Sequence, residues 1–184
     1  MDICVFAATS DLLAPEFYEA AEALGKLIGR NACRLVYGGG MSGLMGACAR
    51  GVIAADGKLL GVSPNYFNEP GVLYTESGDF VFTDTMRERK QYMDDHSEAV
   101  ILLPGGIGSM DEFFEILTLK HLGRSRKPIA ILNTLHYYDP LLLFLNQAAK
   151  MKFMGEDVLE EFRVCDTPEA AIEHVLNSPH SAAE

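Results

Sequence analysis

Short runs of uninterrupted apolar residues alternate along this chain with longer stretches in which apolar positions recur at helical spacing. The runs Ile3–Ala8, Arg34–Tyr37, Lys58–Val62, Phe80–Thr83, Ala99–Leu103, Pro128–Leu132 and Phe162–Cys165 predict strands. The 3.6-residue period predicts helices over Pro15–Gly29, Gly43–Ala55, Met86–His96, Ser109–Leu122, Asp139–Lys150 and Pro168–Leu176. Asn65–Glu76 follows neither period and carries Pro70-Gly71 as a turn signal. Strands that are continuously apolar, rather than alternating, belong to a parallel sheet covered on both faces. Repeated βα units then predict an α/β fold, a Rossmann-like doubly wound parallel sheet with helices on both faces. One nucleotide-binding catalytic domain is expected over residues 1–176, with 177–184 a disordered tail. Ligands of such sheets bind at the carboxyl ends of the strands, where the βα loops lie.

Composition narrows the possible partners. The 184 residues suffice for one domain with a sizeable core, and 48% of them are hydrophobic. A net charge of −11 argues against a nucleic-acid polymer as ligand, since such binding rests on basic surface. No apolar run approaches the roughly 20 residues needed to cross a bilayer, so no membrane partner is expected. The start, Met1-Asp2-Ile3-Cys4-Val5-Phe6, reads as a first strand without the basic region of a signal peptide. Cys4, Cys33, Cys48 and Cys165 are scattered and read as buried free thiols of a cytoplasmic protein. The five histidines are equally dispersed, without H-x-H or H-E-x-x-H spacing, so no metal site is expected.

Four motifs carry candidate chemistry. Gly38-Gly39-Gly40-Met41-Ser42-Gly43 fits G-x-G-x-x-G between a strand and a helix. The acid that holds a dinucleotide ribose is missing, since Ser63-Pro64-Asn65 stands in its place. The motif therefore reads as a tight turn that also helps wall a nucleotide pocket. Thr85 and Glu88 fit a capping box, while Met86, Arg89, Lys90 and Met93 form a stripe carrying two cations inward. Inward cations need an anion, either a protein carboxylate or a ligand phosphate. Pro104-Gly105-Gly106-Ile107-Gly108-Ser109 follows an apolar strand and opens a helix, where bare N–H groups face an anion. Glu112 follows within the first turn. Ser109 and Glu112 equally fit a structural capping box, with Met110, Phe113, Phe114, Leu117 and His121 as the core face and Glu112 off it. Gly123-Arg124-Ser125-Arg126-Lys127-Pro128 reads as a helix stop and a solvated basic loop.

In order and spacing, the glycine segment Gly38–Gly46, the triplet Glu88-Arg89-Lys90, and Pro104-Gly105-Gly106 through Gly108-Ser109 to Glu112 resemble the LONELY GUY family of cytokinin-activating phosphoribohydrolases. The resemblance extends from Ile3 to about Val175. Three departures stand out: Ser109 replaces the usual Thr, Arg87 the usual His, and Ala7-Ala8-Thr9-Ser10 the usual Cys-Gly-Ser-Ser. The last bears on base preference more than on the reaction. Many members carry an old "lysine decarboxylase" label, yet no pyridoxal-phosphate lysine context is recognisable here.

The resemblance implies cleavage of the N-glycosidic bond of a purine nucleoside 5′-monophosphate, cytokinin-type or AMP. The products would be a free base and ribose 5-phosphate, with no cofactor and in a homodimer. Arg89 and Glu112 would be catalytic. Gly39, Gly40, Gly43, Met86, Lys90, Gly105, Gly106, Gly108 and Ser109 would bind substrate. The rival reading is a non-catalytic nucleotide-binding or molybdenum-cofactor carrier protein of the same Rossmann-like type. A dinucleotide-dependent enzyme is disfavoured by the missing ribose-binding acid.

Overall fold

A computed structural model describes residues 1–69, 71–75 and 78–178. Among them, seven strands form one parallel sheet. They are β1 (Asp2–Phe6), β2 (Arg34–Tyr37), β3 (Lys58–Pro64), β4 (Asp79–Thr83), β5 (Ala99–Leu102), β6 (Ile129–Leu132) and β7 (Arg163–Cys165). The helices are α1 (Pro15–Arg30), α2 (Gly43–Ala54), α3 (Met86–Asp95), α4 (Ile107–His121), α5 (Asp139–Lys150) and α6 (Pro168–Asn177). The strand order is β4-β3-β2-β1-β5-β6-β7. Winding therefore runs outward from β1 to one edge, returns to β5 on the other side of β1, and runs to the second edge. The reversal lies between β1 and β5, where a crevice opens above the carboxyl ends of the strands.

Both faces of the sheet are buried, which is why its strands are continuously apolar. On one face Ile3, Val5, Leu35, Ile101 and Leu103 pack with Leu24 of α1, Ala47 of α2 and Ile172 of α6. On the other, Cys4, Phe6, Val36, Val62, Val100 and Ile131 pack with Met93 of α3, Phe113 and Leu117 of α4 and Tyr138 ahead of α5. The helices α1 and α2 meet backbone to backbone at Gly25, where a Cβ would stand 2.0 Å from the Cys48 carbonyl oxygen.

The predicted fold class is observed, and element ends move by a few residues. One shift matters. Helix α4 starts at Ile107, with Gly106 as its N-cap, and not at Ser109. Ser109 and Glu112 thus stand inside the helix, and the capping box read there from S-x-x-E is not formed. Ser109, Glu112, Phe113 and Ile116 are buried, whereas Phe114 is about one-third exposed and His121 is exposed. The inward face is therefore rotated from the predicted one, because Glu112 finds a buried cation to pair with. The capping box of α3 is formed: Thr85 Oγ1 accepts from Glu88 N–H, and Glu88 accepts from Thr85 N–H. Of the tail expected from Asn177 onward, Asn177 closes α6 and Ser178 N–H donates to the His174 carbonyl. Residues 179–184, like Pro70 of the predicted turn, lie outside the described residues. No described helix is long and apolar enough to cross a membrane.

Candidate functional site

Two glycine loops, after β2 and after β5, flank the loop after β1 at the point where the winding reverses. Leu103 N–H donates to the Phe6 carbonyl and Ala8 N–H to the Pro104 carbonyl, tying the loop after β1 to the loop after β5. Each loop stands beside a helix N-terminus, and the two N-termini are in opposite states.

The N-terminus of α2 is closed by the protein itself. Gly43 N–H donates to Asp11 Oδ1 at 2.8 Å, and Leu44 and Met45 N–H both donate to the Ala8 carbonyl. The preceding glycines are also engaged. The Gly39 carbonyl accepts from Tyr74 N–H, and Met41 N–H donates to the Val72 carbonyl in the connector between β3 and β4. Gly39 has φ +78°, a conformation open to glycine, and a Cβ there would meet the Phe80 ring at 2.5 Å. The Gly38–Gly46 segment is thus a packed turn whose N–H groups are largely committed inside the fold.

The N-terminus of α4 is open. The first bond of the helix is Met110 N–H to the Gly106 carbonyl, so the N–H groups of Ile107, Gly108 and Ser109 precede any intrahelical partner. Gly106, Ile107 and Gly108 are exposed, and a Cβ at Gly106 or Gly108 would meet nothing within 4 Å. Convergent N–H groups, the helix dipole and free space in front of them suit a phosphate.

One turn into α4 lies the charge pair. Arg89 Nη1 donates to Glu112 Oε1 at 2.6 Å, and the two side chains are 7% and 8% exposed. Arg89 Nε donates to the Val62 carbonyl at the end of β3. Its Nη2 faces Gly38, where a Cβ would stand 2.3 Å away. The guanidinium therefore links the ends of β2 and β3 to α4. Among the described residues, Arg89 is the one hydrogen-bond partner of the Glu112 side chain, through Oε1. Burial pushes the Glu112 carboxyl above the ordinary carboxylate range, against the opposing pull of Arg89.

The remaining predicted residues are placed as follows. Lys90 is turned to the outer side of α3, where it binds Asp111 at 2.9 Å and Glu115 at 2.5 Å. It clamps α3 to α4 beside the Arg89–Glu112 pair. Met86 is 39% exposed, so the stripe read as inward holds for Arg89 and Met93, and Lys90 lies at its edge. Ser109 is buried beside Gly105, whose Cβ would meet Ser109 Oγ at 2.2 Å. In the basic loop before β6, Arg124 and Arg126 are exposed, but Lys127 is half-buried and paired with Asp94. Two tyrosines, like Asp11, escaped the sequence reading. Tyr137 Oη donates to the Gly105 carbonyl at 2.9 Å, and Tyr138 Oη to the Leu103 carbonyl at 2.8 Å. A tandem tyrosine before a helix carries no motif of its own, and only the fold brings it to the glycine loop. Among the described residues, no group of acidic, histidine and cysteine side chains could hold a metal ion.

Comparisons with known proteins show the family and the fold. A family model described as "possible lysine decarboxylase" matches residues 45–175. The chain is 36% identical over 171 residues to a cytokinin riboside 5′-monophosphate phosphoribohydrolase of Rhodococcoides fascians, covering 92% of this chain and 86% of that protein. It is 34% identical over 170 residues to the protein of the same name in Mycobacterium tuberculosis, covering 92% and 90%. A probable phosphoribohydrolase of that type from Oryza sativa subsp. japonica is 37% identical over 155 residues, covering 84% and 70%. Among solved structures, the molybdenum cofactor carrier protein of Chlamydomonas reinhardtii superposes with a TM-score of 0.70 at 20% identity, covering 95% of each chain. The molybdenum cofactor binding protein of Rippkaea orientalis gives 0.67 at 22%, covering 94% and 91%. At those identities the structural likeness speaks for the fold alone.

Proposed function

The chain belongs to the LONELY GUY family of cytokinin riboside 5′-monophosphate phosphoribohydrolases, and on that premise we propose that it hydrolyses purine nucleoside 5′-monophosphates. The glycosidic bond from C1′ to the base nitrogen breaks with its electron pair going to the base. Water adds to C1′ and loses a proton, the base gains one, and free base and ribose 5-phosphate leave. The observation that carries the reading is the buried Arg89–Glu112 pair one helical turn beyond an open helix N-terminus. A protein that only held a phosphate would not need a desolvated carboxylate beside it.

The 5′-phosphate sits at the start of α4, against the N–H groups of Gly106, Ile107, Gly108 and Ser109. Breaking the glycosidic bond places positive charge on the ribose. Glu112 stabilises that charge in a low-dielectric setting. Arg89 holds the carboxylate ionised and in place and offers Nη2 toward Gly38 and the base side of the crevice. Lys90 acts at one remove by bracing α3 against α4. Gly105 shapes the loop beside Ser109, while Gly39, Gly40, Gly43 and exposed Met86 wall the crevice.

The test is incubation of purified protein with AMP and with adenosine, resolving adenine by chromatography. A charge-assisted phosphate contact is worth roughly 1.5–3 kcal/mol per hydrogen bond, so adenosine should react orders of magnitude more slowly. Equal turnover of the two would refute the phosphate assignment. AMP binding with no adenine release would favour the non-catalytic carrier reading. The protein is further proposed to be a cytoplasmic homodimer. Four buried free thiols, with Cys48 pushed up to about 12 by burial, support a reducing compartment. A monomeric mass by light scattering at micromolar concentration would overturn the dimer.

A further inference from the structure

The loop between β5 and α4 has a second property. From Leu103 to Gly106 every carbonyl is tied to a named donor. The Leu103 carbonyl accepts from Tyr138 Oη and the Gly105 carbonyl from Tyr137 Oη. The Pro104 carbonyl accepts from Ala8 N–H and the Gly106 carbonyl from Met110 N–H. In a trans peptide the C=O and the following N–H point in opposite directions. Holding the Gly105 carbonyl back toward Tyr137 therefore turns Gly106 N–H outward. Holding the Leu103 carbonyl costs no donor, because Pro104 has no N–H.

Such restraint is needed here more than elsewhere. The Gly105-Gly106 peptide lies between two residues without Cβ, so the backbone tolerates either orientation of its plane. In one orientation an N–H faces the crevice; in the other a carbonyl oxygen would face an incoming anion. The protein spends backbone strain on the donors that decide between them. Leu135 and His136, just ahead of the tyrosines, both hold positive φ, +52° and +57°. The Tyr137 ring is wedged edge-on between Phe17 of α1 and Tyr138. Burial raises the Tyr138 pKa well beyond the ordinary tyrosine value, so its hydroxyl stays a donor.

We infer that Tyr137 is a positioning residue for phosphate recognition, fixing the polarity of the Gly105-Gly106 peptide so that it presents N–H rather than C=O to the phosphate, while Tyr138 anchors the start of the same loop at the Leu103 carbonyl. The inference rests on the proposed reaction only for the identity of the ligand. The first variant is Tyr137→Phe, since its ring is 45% exposed and loses only the hydroxyl. Ribose 5-phosphate binding is measured by calorimetry, AMP turnover by adenine release, and thermal stability without ligand. The expected result is about tenfold weaker ribose 5-phosphate binding and an equal rise in KM, about 1.4 kcal/mol by the affinity relation. The kcat should stay within about threefold, because the catalytic pair is untouched, and the melting temperature should fall by no more than about 2–4 °C, the effect of one neutral hydrogen bond. Unchanged binding and KM would overturn the inference, as would a lower melting temperature with binding intact. Tyr138→Phe, which frees only the Leu103 carbonyl, should weaken binding less than Tyr137→Phe, and the reverse order would overturn the assignment to Tyr137. Wild-type protein that binds ribose 5-phosphate yet releases no adenine would refute the proposed reaction while leaving the tyrosine comparison decisive. Wild-type protein that fails to bind ribose 5-phosphate would overturn both.

Discussion

Glu112→Gln isolates the charge at the centre of the site. Glu112 is joined to Arg89 at 2.6 Å with both side chains less than a tenth exposed. Removing one partner of a buried pair costs about 3–5 kcal/mol, because the other charge is stranded. Glutamine keeps an oxygen for Arg89 Nη1, so the loss should be smaller, about 1.5–3 kcal/mol, the worth of a hydrogen bond to a charged group. For a domain of this size, about 2–4 °C of melting temperature accompanies each kcal/mol. The variant should therefore melt about 3–12 °C lower and remain folded at 25 °C. Turnover should fall far more, by about 10²–10³, the usual effect of one preorganised electrostatic group. Arg89→Ala should be the less stable of the two, since it strands a carboxylate with no substitute donor. The joint replacement Arg89→Met with Glu112→Leu removes both charges at similar volume, and should recover stability while staying inactive. Scanning calorimetry and adenine release from AMP, both on the same preparations, decide the matter. Glu112→Gln turnover within tenfold of wild type would refute the catalytic role, and an unchanged melting temperature would refute the energetic reasoning.

Three further outcomes follow from particular groups. Because burial raises the Glu112 pKa, activity should fall on the acidic side with a midpoint above the ordinary glutamate value of about 4.3; a lower midpoint would contradict the assignment. The stability linkage has the same origin: the folded protein holds the Glu112 proton more tightly than the unfolded chain. This contribution favours folding at low pH and is lost as pH rises through the folded pKa, so Glu112→Gln should remove it from a melting-temperature profile. Gly25→Ala should lower the melting temperature despite alanine's helix preference of about 1 kcal/mol, because the new Cβ would lie 2.0 Å from a carbonyl oxygen of α2; a higher melting temperature would refute the close packing.

Strand and helix alternation was legible because each strand is buried on both faces and each helix on one, so period and run length report burial directly. The glycine loops were legible too, since glycine clusters between a strand and a helix have few other uses. The limit of such reading shows at Ser109-x-x-Glu112. The same four residues satisfy a capping box or one turn of an inward helix face, and the choice depends on Arg89, more than twenty positions earlier. Lys90 shows a related limit. Its partners Asp111 and Glu115 lie on another helix, and spacing within α3 cannot show which neighbour it turns toward. Asp11 and the two tyrosines were invisible, because their value comes only from where other loops end.

The strand order has a consequence for how the protein acquires activity. The reversal lies between β1 and β5, so its two sides come from opposite halves of the chain, with β2, β3, β4 and three helices between the paired strands in sequence. The Ala8–Pro104 contact is the closure of a long loop, a slow step in assembling a parallel sheet. Base release during refolding therefore reports the joining of the two halves of the sheet, and a nascent chain stays inert until its central seam is shut.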